Sequence, residues 1–403
     1  MDCSTDVGSG LDRWIQEVLA LEYGQQPTIA KKVVMADVQG HMSSILRVHL
    51  TWPINSKNLP ETVVAKIPTS TAMEKTFGQG EDGMPQMTVF KKATPRDEDH
   101  FLRWIHEVEA ATYAVLKDGR LDGLAIPYYY DHLPFTSSTP CILMEDIHSS
   151  TVNDVVDGFD DAQLYKIVDQ LVALHVFSFT HDKWMDLGID MKENTPAYEE
   201  YLAFLDSLRK QLMRDYPELK PGLQALHDNF MKERTWNVAH LRHYKSADVL
   251  RTFVHGDLWA ANIIWRADDI AAIVDWTLCH PGSLTEDLLR VLVTCCSAER
   301  RRRLTHPLMK YYFNQVKAKM EERLLPIPFT FEELKNDYHR TLPVLCAQTV
   351  FAIGFWLRTG VIRKGRPDDS TRVSEMIKRL HSFVEETVHT QGWITNSNFQ
   401  SVL

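Results

Sequence analysis

Three oxygen-bearing side chains and one imidazole fall close together in this chain. His255, Asp257 and Asn262 lie in the run Phe253-Val-His-Gly-Asp-Leu-Trp-Ala-Ala-Asn-Ile-Ile-Trp265, and Asp275 follows thirteen residues after Asn262, inside Ile-Val-Asp-Trp. A carboxylate, an amide five residues on and a second carboxylate one strand later form a set suited to phosphoryl transfer. That reaction asks a protein for positioning and charge neutralisation more than for covalent chemistry. Asp257 has the place of the base that accepts a hydrogen bond from an attacking hydroxyl. Asn262 and Asp275 offer the hard oxygen ligands that Mg2+ prefers. His255 joins Asp257 as a candidate catalytic residue, in a position better suited to bracing the loop than to shuttling a proton. A turn rich in Asp and Asn also uses these side chains to cap its own backbone. The apolar segments flanking Asp275 at hairpin distance weigh against that simpler reading.

The rest of a phosphate site can be sought upstream. Val63-Val-Ala-Lys66-Ile places a lysine on an otherwise apolar strand. Such a lysine either snorkels to the edge or serves as a cation for the α and β phosphates, braced by a glutamate of the following helix. Glu107 and Glu109 are both available. Two residues apart on a helix, they point in different directions. Glu109 is preferred, because Tyr113 falls one turn later on the same face. The loop Asp37-Val-Gln-Gly40-His-Met-Ser43-Ser44 has one glycine, a weak phosphate-loop signal, so Gly40 with the Ser43 or Ser44 hydroxyl is the candidate cover for phosphates. Glu145, in Leu143-Met-Glu-Asp146, ends a strand where a hinge would offer backbone groups to adenine.

Apolar spacing and breakers predict the elements that must hold these residues. A helix is expected over 11–23, then strands over Val33–Val38, Ser43–Trp52 and Glu61–Ile67, antiparallel because their connections are short. Residues 69–98 read as a long mobile loop. A helix follows at about 99–117, then strands Tyr128–His132 and Cys141–Glu145. Beyond Ile147 the pattern is helical, at about 160–178, 196–215, 219–234, 283–296, 300–322, 331–358 and 371–389. It is interrupted by a hairpin of Asn262–Arg266 and Ile270–Asp275 around Ala267-Asp-Asp. The fold class is therefore α+β, with two lobes. Residues 1–147 form a small N-lobe with an antiparallel five-stranded sheet plus helix, and 148–403 a larger, mainly helical C-lobe with a catalytic β-hairpin.

The 403 residues carry a formal net charge of -10, which argues against a general nucleic-acid or anionic-membrane binder. Six cysteines without metal-ligand spacing, no basic-then-apolar leader and no apolar run of spanning length point to a soluble, cytoplasmic protein. Arg300–Arg303 reads as a solvated helix start. Phe351, Phe355 and Trp356 at helical spacing read first as core, with an apolar acceptor pocket as the second possibility. Glu286 and Asp287 are expected to cap or brace the catalytic loop.

The runs His255-Gly-Asp-Leu-Trp-Ala-Ala-Asn-Ile-Ile-Trp265, Ile273-Val-Asp-Trp276 and His280-Pro-Gly-Ser-Leu-Thr-Glu-Asp-Leu-Leu-Arg-Val-Leu292 resemble the CHK-like (ecdysteroid-kinase-like) family. Its relatives are the aminoglycoside phosphotransferases and choline kinases. Trp259 and the Glu286-Asp287 run favour this branch over choline kinase. The resemblance implies a bilobal protein-kinase-like fold and ATP and Mg2+ as cofactors. It also implies transfer of the γ-phosphate to the hydroxyl of a small-molecule acceptor, a steroid alcohol in some relatives. His41 stands where Phe is common and Thr277 where Gln is common; the latter is expected to alter the acceptor side. A nucleotide-binding pseudokinase acting as sensor or scaffold is the alternative, motivated by the glycine-poor loop. A protein kinase ranks last, because only about seven residues separate Asp275 from the next helix and leave little room for a peptide-docking segment.

Overall fold

The computed structural model describes residues 4–35, 42–54, 58–69, 95–118, 121, 123–188, 195–395 and 402–403. Gly40, His41 and residues 70–94 of the expected loop lie outside the described residues.

Helix α1 (Ser4–Tyr23) precedes strands β1 (Thr28–Val34), β2 (Ser43–Thr51) and β3 (Thr62–Pro68). Helix α2 (Pro95–Asp118) and strands β4 (Tyr129–Leu133) and β5 (Cys141–Glu145) complete the N-terminal part. The five strands form one sheet in the order β1-β2-β3-β5-β4, with every pairing antiparallel. The first strand begins and ends earlier than its β-branched run suggested, because Thr28 and Ile29 pair with Thr51 and Leu50 at the far end of β2.

Strand alternation gives the sheet two apolar faces. Leu11, Ile15 and Leu19 of α1 pack with Val63, Ala65, Cys141 and Leu143 on one face. Ile142 and Met144 belong to the opposite face, with Val108 and Tyr113 of α2. Val64 and Lys66 share that second parity. The lysine is therefore directed toward α2 by the same period that buries its neighbours on α1.

After the two-residue strand β6 (Thr151–Val152) come α3 (Asp161–Thr180), α4 (Pro196–Asp215), α5 (Lys220–Leu226) and α6 (Trp236–Lys245). Asp160 and Gln163 close a capping box at the start of α3. The single helix expected over 219–234 is instead broken into a 3-10 turn, α5 and a π turn at His227–Met231. Helix α6 was not anticipated. It buries Asn237 and His240 beside Trp236, Val238 and Leu241, which dilutes the apolar period.

Strand β7 (Thr252–Val254) leads into the hairpin β8 (Ile263–Arg266) and β9 (Asp269–Ile273). Strand β10 (His280–Gly282) pairs back on β7. Strands β6, β7 and β10 are too short for a period to show in sequence. Four helices follow: α7 (Glu286–Thr294), α8 (Ala298–Glu322), α9 (Phe331–Trp356) and α10 (Asp369–Thr390). The fold class expected from sequence, an antiparallel five-stranded sheet with its helix and a mainly helical remainder carrying a hairpin, is the one observed.

One expectation needs revision at α8. Arg300 and Arg303 bond Asp161 at the helix start, as a solvated turn would. Arg301 is buried and pairs with Glu386 and Ser382. No described helix is long and apolar enough to cross a membrane.

Candidate active site

The hairpin turns at Ala267-Asp268, with Ala267 at φ 50° and Arg266 paired to Asp269. Its register aligns Ile263 with Ile273, and the Val274 amide donates to the Asn262 carbonyl at 3.0 Å. Asn262 is thereby held alongside the backbone that leads into Asp275. The Asn262 Nδ2 donates to the Asp257 carbonyl at 2.8 Å. Only the amino end of that amide can donate, so its carbonyl oxygen is the end left to a cation.

His255 is buried and engaged on both ring nitrogens. Nε2 donates to the Val274 carbonyl at 3.0 Å, and Nδ1 accepts from the Asp257 amide at 3.2 Å. The ring lies 4.6 Å from that of Trp276. These contacts place His255 as a brace between the loop and the hairpin, not as a free proton carrier. Asp287 completes the support. Its carboxylate accepts from the amides of His255 at 2.7 Å and Gly256 at 3.0 Å. Gly256 has φ +82°, and a Cβ there would stand 2.2 Å from the Leu278 carbonyl oxygen. No other residue fits that position.

Asp275 has φ 67° and ψ 58°, a left-handed conformation that is strained for a residue with a Cβ. Its Oδ1 lies 2.6 Å from Lys66 Nζ. Lys66 also bonds Glu109, at 2.7 Å to Oε2 and 2.8 Å to Oε1. Glu107 faces elsewhere and accepts from the Phe135 amide at 2.9 Å, so the lysine's partner is Glu109. One ammonium here faces two carboxylates. Burial, only partly offset by attraction to Lys66, pushes the Glu109 carboxyl up to about 7. Burial also opposes the charge on Asp275, but attraction to Lys66 outweighs it and holds that carboxyl below its ordinary value. Burial works against the Lys66 charge too, and the two carboxylates overcome it and raise the ammonium.

Ser43, Lys66, Glu109 and Thr277 line one small cavity. Thr277 thus lies on the lysine side of Asp275. The turn after Asp275 brings Thr277 beside residues of the sheet and of α2.

Glu145 is partly committed. Its amide donates to the Tyr128 carbonyl at 2.8 Å, and its carboxylate accepts from the Tyr128 amide at 3.1 Å. The backbone edge expected for adenine is therefore without that amide. Asp146 beside it is buried and ties β5 to β2 and β3, bonding Arg47 at 2.5 Å and Thr62 at 2.6 Å.

One residue of the site was missed in sequence. Arg290 of α7 donates from Nη2 to Asp257 Oδ1 at 2.7 Å. Its guanidinium stands 5.6 Å over the Trp356 ring, which stacks on Trp259 at 4.6 Å. The signal was helical spacing: Arg290 lies three residues after Asp287 and shares its face. Once Asp287 faces the loop, Arg290 must face it as well. Trp356 is buried in the core, as its helical spacing suggested.

The family model described as DUF1679, Uncharacterized oxidoreductase dhs-27, matches residues 15–379. A Caenorhabditis elegans protein named Uncharacterized oxidoreductase dhs-27 is 24% identical over 339 residues, covering 79% of this chain and 39% of that protein. The chain thus spans well under half of that relative's length. An Uncharacterized kinase-like protein of the same organism is 21% identical over 313 residues, covering 71% of this chain and 76% of its own length. Among solved structures, the GDP complex of wild-type aminoglycoside 2'-phosphotransferase-IIIa is 13% identical, with 93% and 98% of the two chains covered and a TM-score of 0.47. Choline kinase LicA from Streptococcus pneumoniae is 13% identical, with 93% and 100% covered and a TM-score of 0.43. At TM-scores below 0.5 neither likeness carries a conclusion about this chain.

Proposed function

The chain belongs to the DUF1679 family, and from that premise we propose that it is an ATP- and Mg2+-dependent small-molecule kinase. The reaction is transfer of the γ-phosphate to an acceptor hydroxyl, and the CHK-like resemblance of the catalytic runs is part of the reading. The observation that carries it is the convergence of distant residues on one spot. Lys66 of β3, Glu109 of α2 and Asp275 beyond β9 meet within hydrogen-bond distance, next to the loop that bears Asp257 and Asn262. Carboxylate, amide and ammonium are groups that hold a phosphate chain and a divalent cation; they are not carriers of hydride or electrons. The oxidoreductase name belongs to a relative of which the larger part lies outside the match.

Asn262 and Asp275 fit Mg2+ by donor type: a directed amide oxygen and a carboxylate held ionised by Lys66. A cation held by these two residues would supply neutralisation of the phosphate charge as it develops. Lys66 holds the α and β phosphates, and Glu109 keeps its ammonium in line. Ser43, on the wall of the same cavity, is a hydroxyl donor to phosphate oxygens. Asp257 accepts the hydrogen bond of the acceptor hydroxyl through Oδ2, while Arg290 holds Oδ1. His255 and Asp287 keep the loop rigid.

Arg290, which bonds Asp257, stands over the buried Trp356 ring, and that ring stacks on the buried Trp259. The steroid-like acceptor follows from the CHK-like resemblance of the catalytic runs. The test is a screen of hydroxylated steroids, lipids and amino alcohols with ADP detection, run on the wild type and Asp257→Asn. Acceptor-dependent ADP release that the variant loses supports the reading. Tight nucleotide binding without turnover on any acceptor would sink it in favour of a pseudokinase.

A further inference from the structure

Beneath the catalytic loop, three buried side chains from three elements converge. They are His240 of α6, His280 of β10 and Glu286 at the start of α7, each less than a tenth exposed. His240 Nε2 lies 3.1 Å from Glu286 Oε2, and His280 Nε2 lies 3.1 Å from Glu286 Oε1. One ligand atom from each residue falls within 4.8 Å of the others. We propose that this triad is a structural site for a divalent transition metal of the zinc type, distinct from the cation site formed by Asn262 and Asp275.

The geometry around His280 is the strongest support. Its Nδ1 lies 2.9 Å from the Leu278 carbonyl, which can only accept, so Nδ1 carries the proton. In the neutral ring Nε2 is then a lone pair aimed at a carboxylate oxygen. Although the two atoms are close, both His280 Nε2 and Glu286 Oε1 are buried without a hydrogen-bond partner. Something positive belongs between them. Tetrahedral zinc with nitrogen and oxygen ligands at about 2.0–2.2 Å sets neighbouring ligand atoms roughly 3.3 Å apart, close to the 3.1 Å from each histidine to its nearer carboxylate oxygen. A backbone carbonyl on the far ring nitrogen is also the usual support for a metal-bound histidine.

Two further features fit. Gly282 has no side chain where a Cβ would stand 2.9 Å from Glu286 Oε2 and 3.1 Å from His280 Nε2, so the space beside the triad is kept open. Two imidazoles and a carboxylate are a donor set that prefers zinc to magnesium.

Such an ion would tie α6, β10 and α7 together under the active site. Asp287, the next residue, holds the His255 and Gly256 amides. His280 pairs with Val254, adjacent to His255. The metal would act by positioning the catalytic loop and would touch no reactant.

The test uses the full chain, purified without chelator, dialysed in buffer containing Mg2+ to fill the hard-oxygen site, and analysed by elemental mass spectrometry. About one zinc per chain is expected in the wild type and in the control His381→Gln, a partly exposed histidine. His280→Gln and His240→Gln are expected to lose at least four-fifths of it. Should these variants fail to fold, the wild type alone decides. Removing zinc with a strong chelator lowers its melting temperature, and zinc but not magnesium restores it. A wild type with under about a tenth of a zinc per chain and a melting temperature indifferent to zinc and chelator overturns the proposal and leaves a proton between His280 and Glu286. Undiminished zinc in a folded His280→Gln variant overturns it as well.

Discussion

Arg290 Nη2 lies 2.7 Å from Asp257 Oδ1, so a cation from α7 holds one oxygen of the carboxylate assigned as the base. The other oxygen, Oδ2, has no partner among the described residues. The same helix holds the backbone of the loop through Asp287. One rigid element thus sets both the position of the loop and the direction of its acid. Arg290→Gln is expected to lower kcat by about 100-fold, the cost of a misplaced reacting group, with the KM for ATP little changed. Arg290→Lys should recover only part of it, because an ammonium lacks the planar fork. Steady-state kinetics with the acceptor found by screening checks this; an unchanged kcat in Arg290→Gln would remove the residue from the mechanism.

Lys66 joins two carboxylates, and its removal leaves them without a cation. Lys66→Met is expected to cost about 3–5 kcal/mol in urea unfolding, the usual result of stripping one partner from a buried ion pair. Lys66→Met with Glu109→Leu should be more stable than Lys66→Met alone, since the double change removes the orphaned buried charge. A double variant as unstable as the sum of the two singles would show that Glu109 and Lys66 do not interact.

Glu109 predicts a pH effect of definite sign. Its carboxyl is pushed up to about 7 in the folded chain from an ordinary 4.5. Between those values the folded state binds more protons than the unfolded state, so this group's contribution to stability falls as pH rises through the window. Glu109→Gln should flatten the decline between pH 4.5 and 7 in unfolding measurements. Parallel profiles for the variant and the wild type would contradict the assigned burial effect.

If Asp257 is the base proposed above, Asp257→Asn should abolish phosphoryl transfer while leaving nucleotide affinity within about a factor of three, because a base of that kind meets the acceptor and not the phosphates. Asp275→Asn should weaken Mg2+-dependent nucleotide binding itself. Equilibrium binding with and without Mg2+ separates the two. Equal losses of affinity in both variants would mean the roles are wrongly divided.

Gly256→Ala should destabilise the chain by about 1–3 kcal/mol, the range for one residue forced into a sparsely populated backbone region. The added Cβ would meet the Leu278 carbonyl oxygen at 2.2 Å. Urea unfolding measures the loss, and a variant of wild-type stability would show that the loop has room to shift.

The sequence alone determined the elements whose signals are local. Alternation placed Lys66 on the face opposite Val63 and Ala65. The turn Ala267-Asp-Asp between apolar runs marked the hairpin, and the spacing of Asp257, Asn262 and Asp275 marked the candidate site, because such patterns repeat within a few residues. The broken helix near 219–234 and α6 were not legible, since buried polar side chains such as His240 and Asn237 erase the apolar period. The choice of Glu109 over Glu107 was only a preference until α2 was packed on the sheet. The place of Thr277 on the lysine side, the pairing of Arg290 with Asp257 and the meeting of His240, His280 and Glu286 were decided by tertiary structure alone. Each joins residues from separate elements whose approach is set by core packing, and no spacing along the chain encodes that distance.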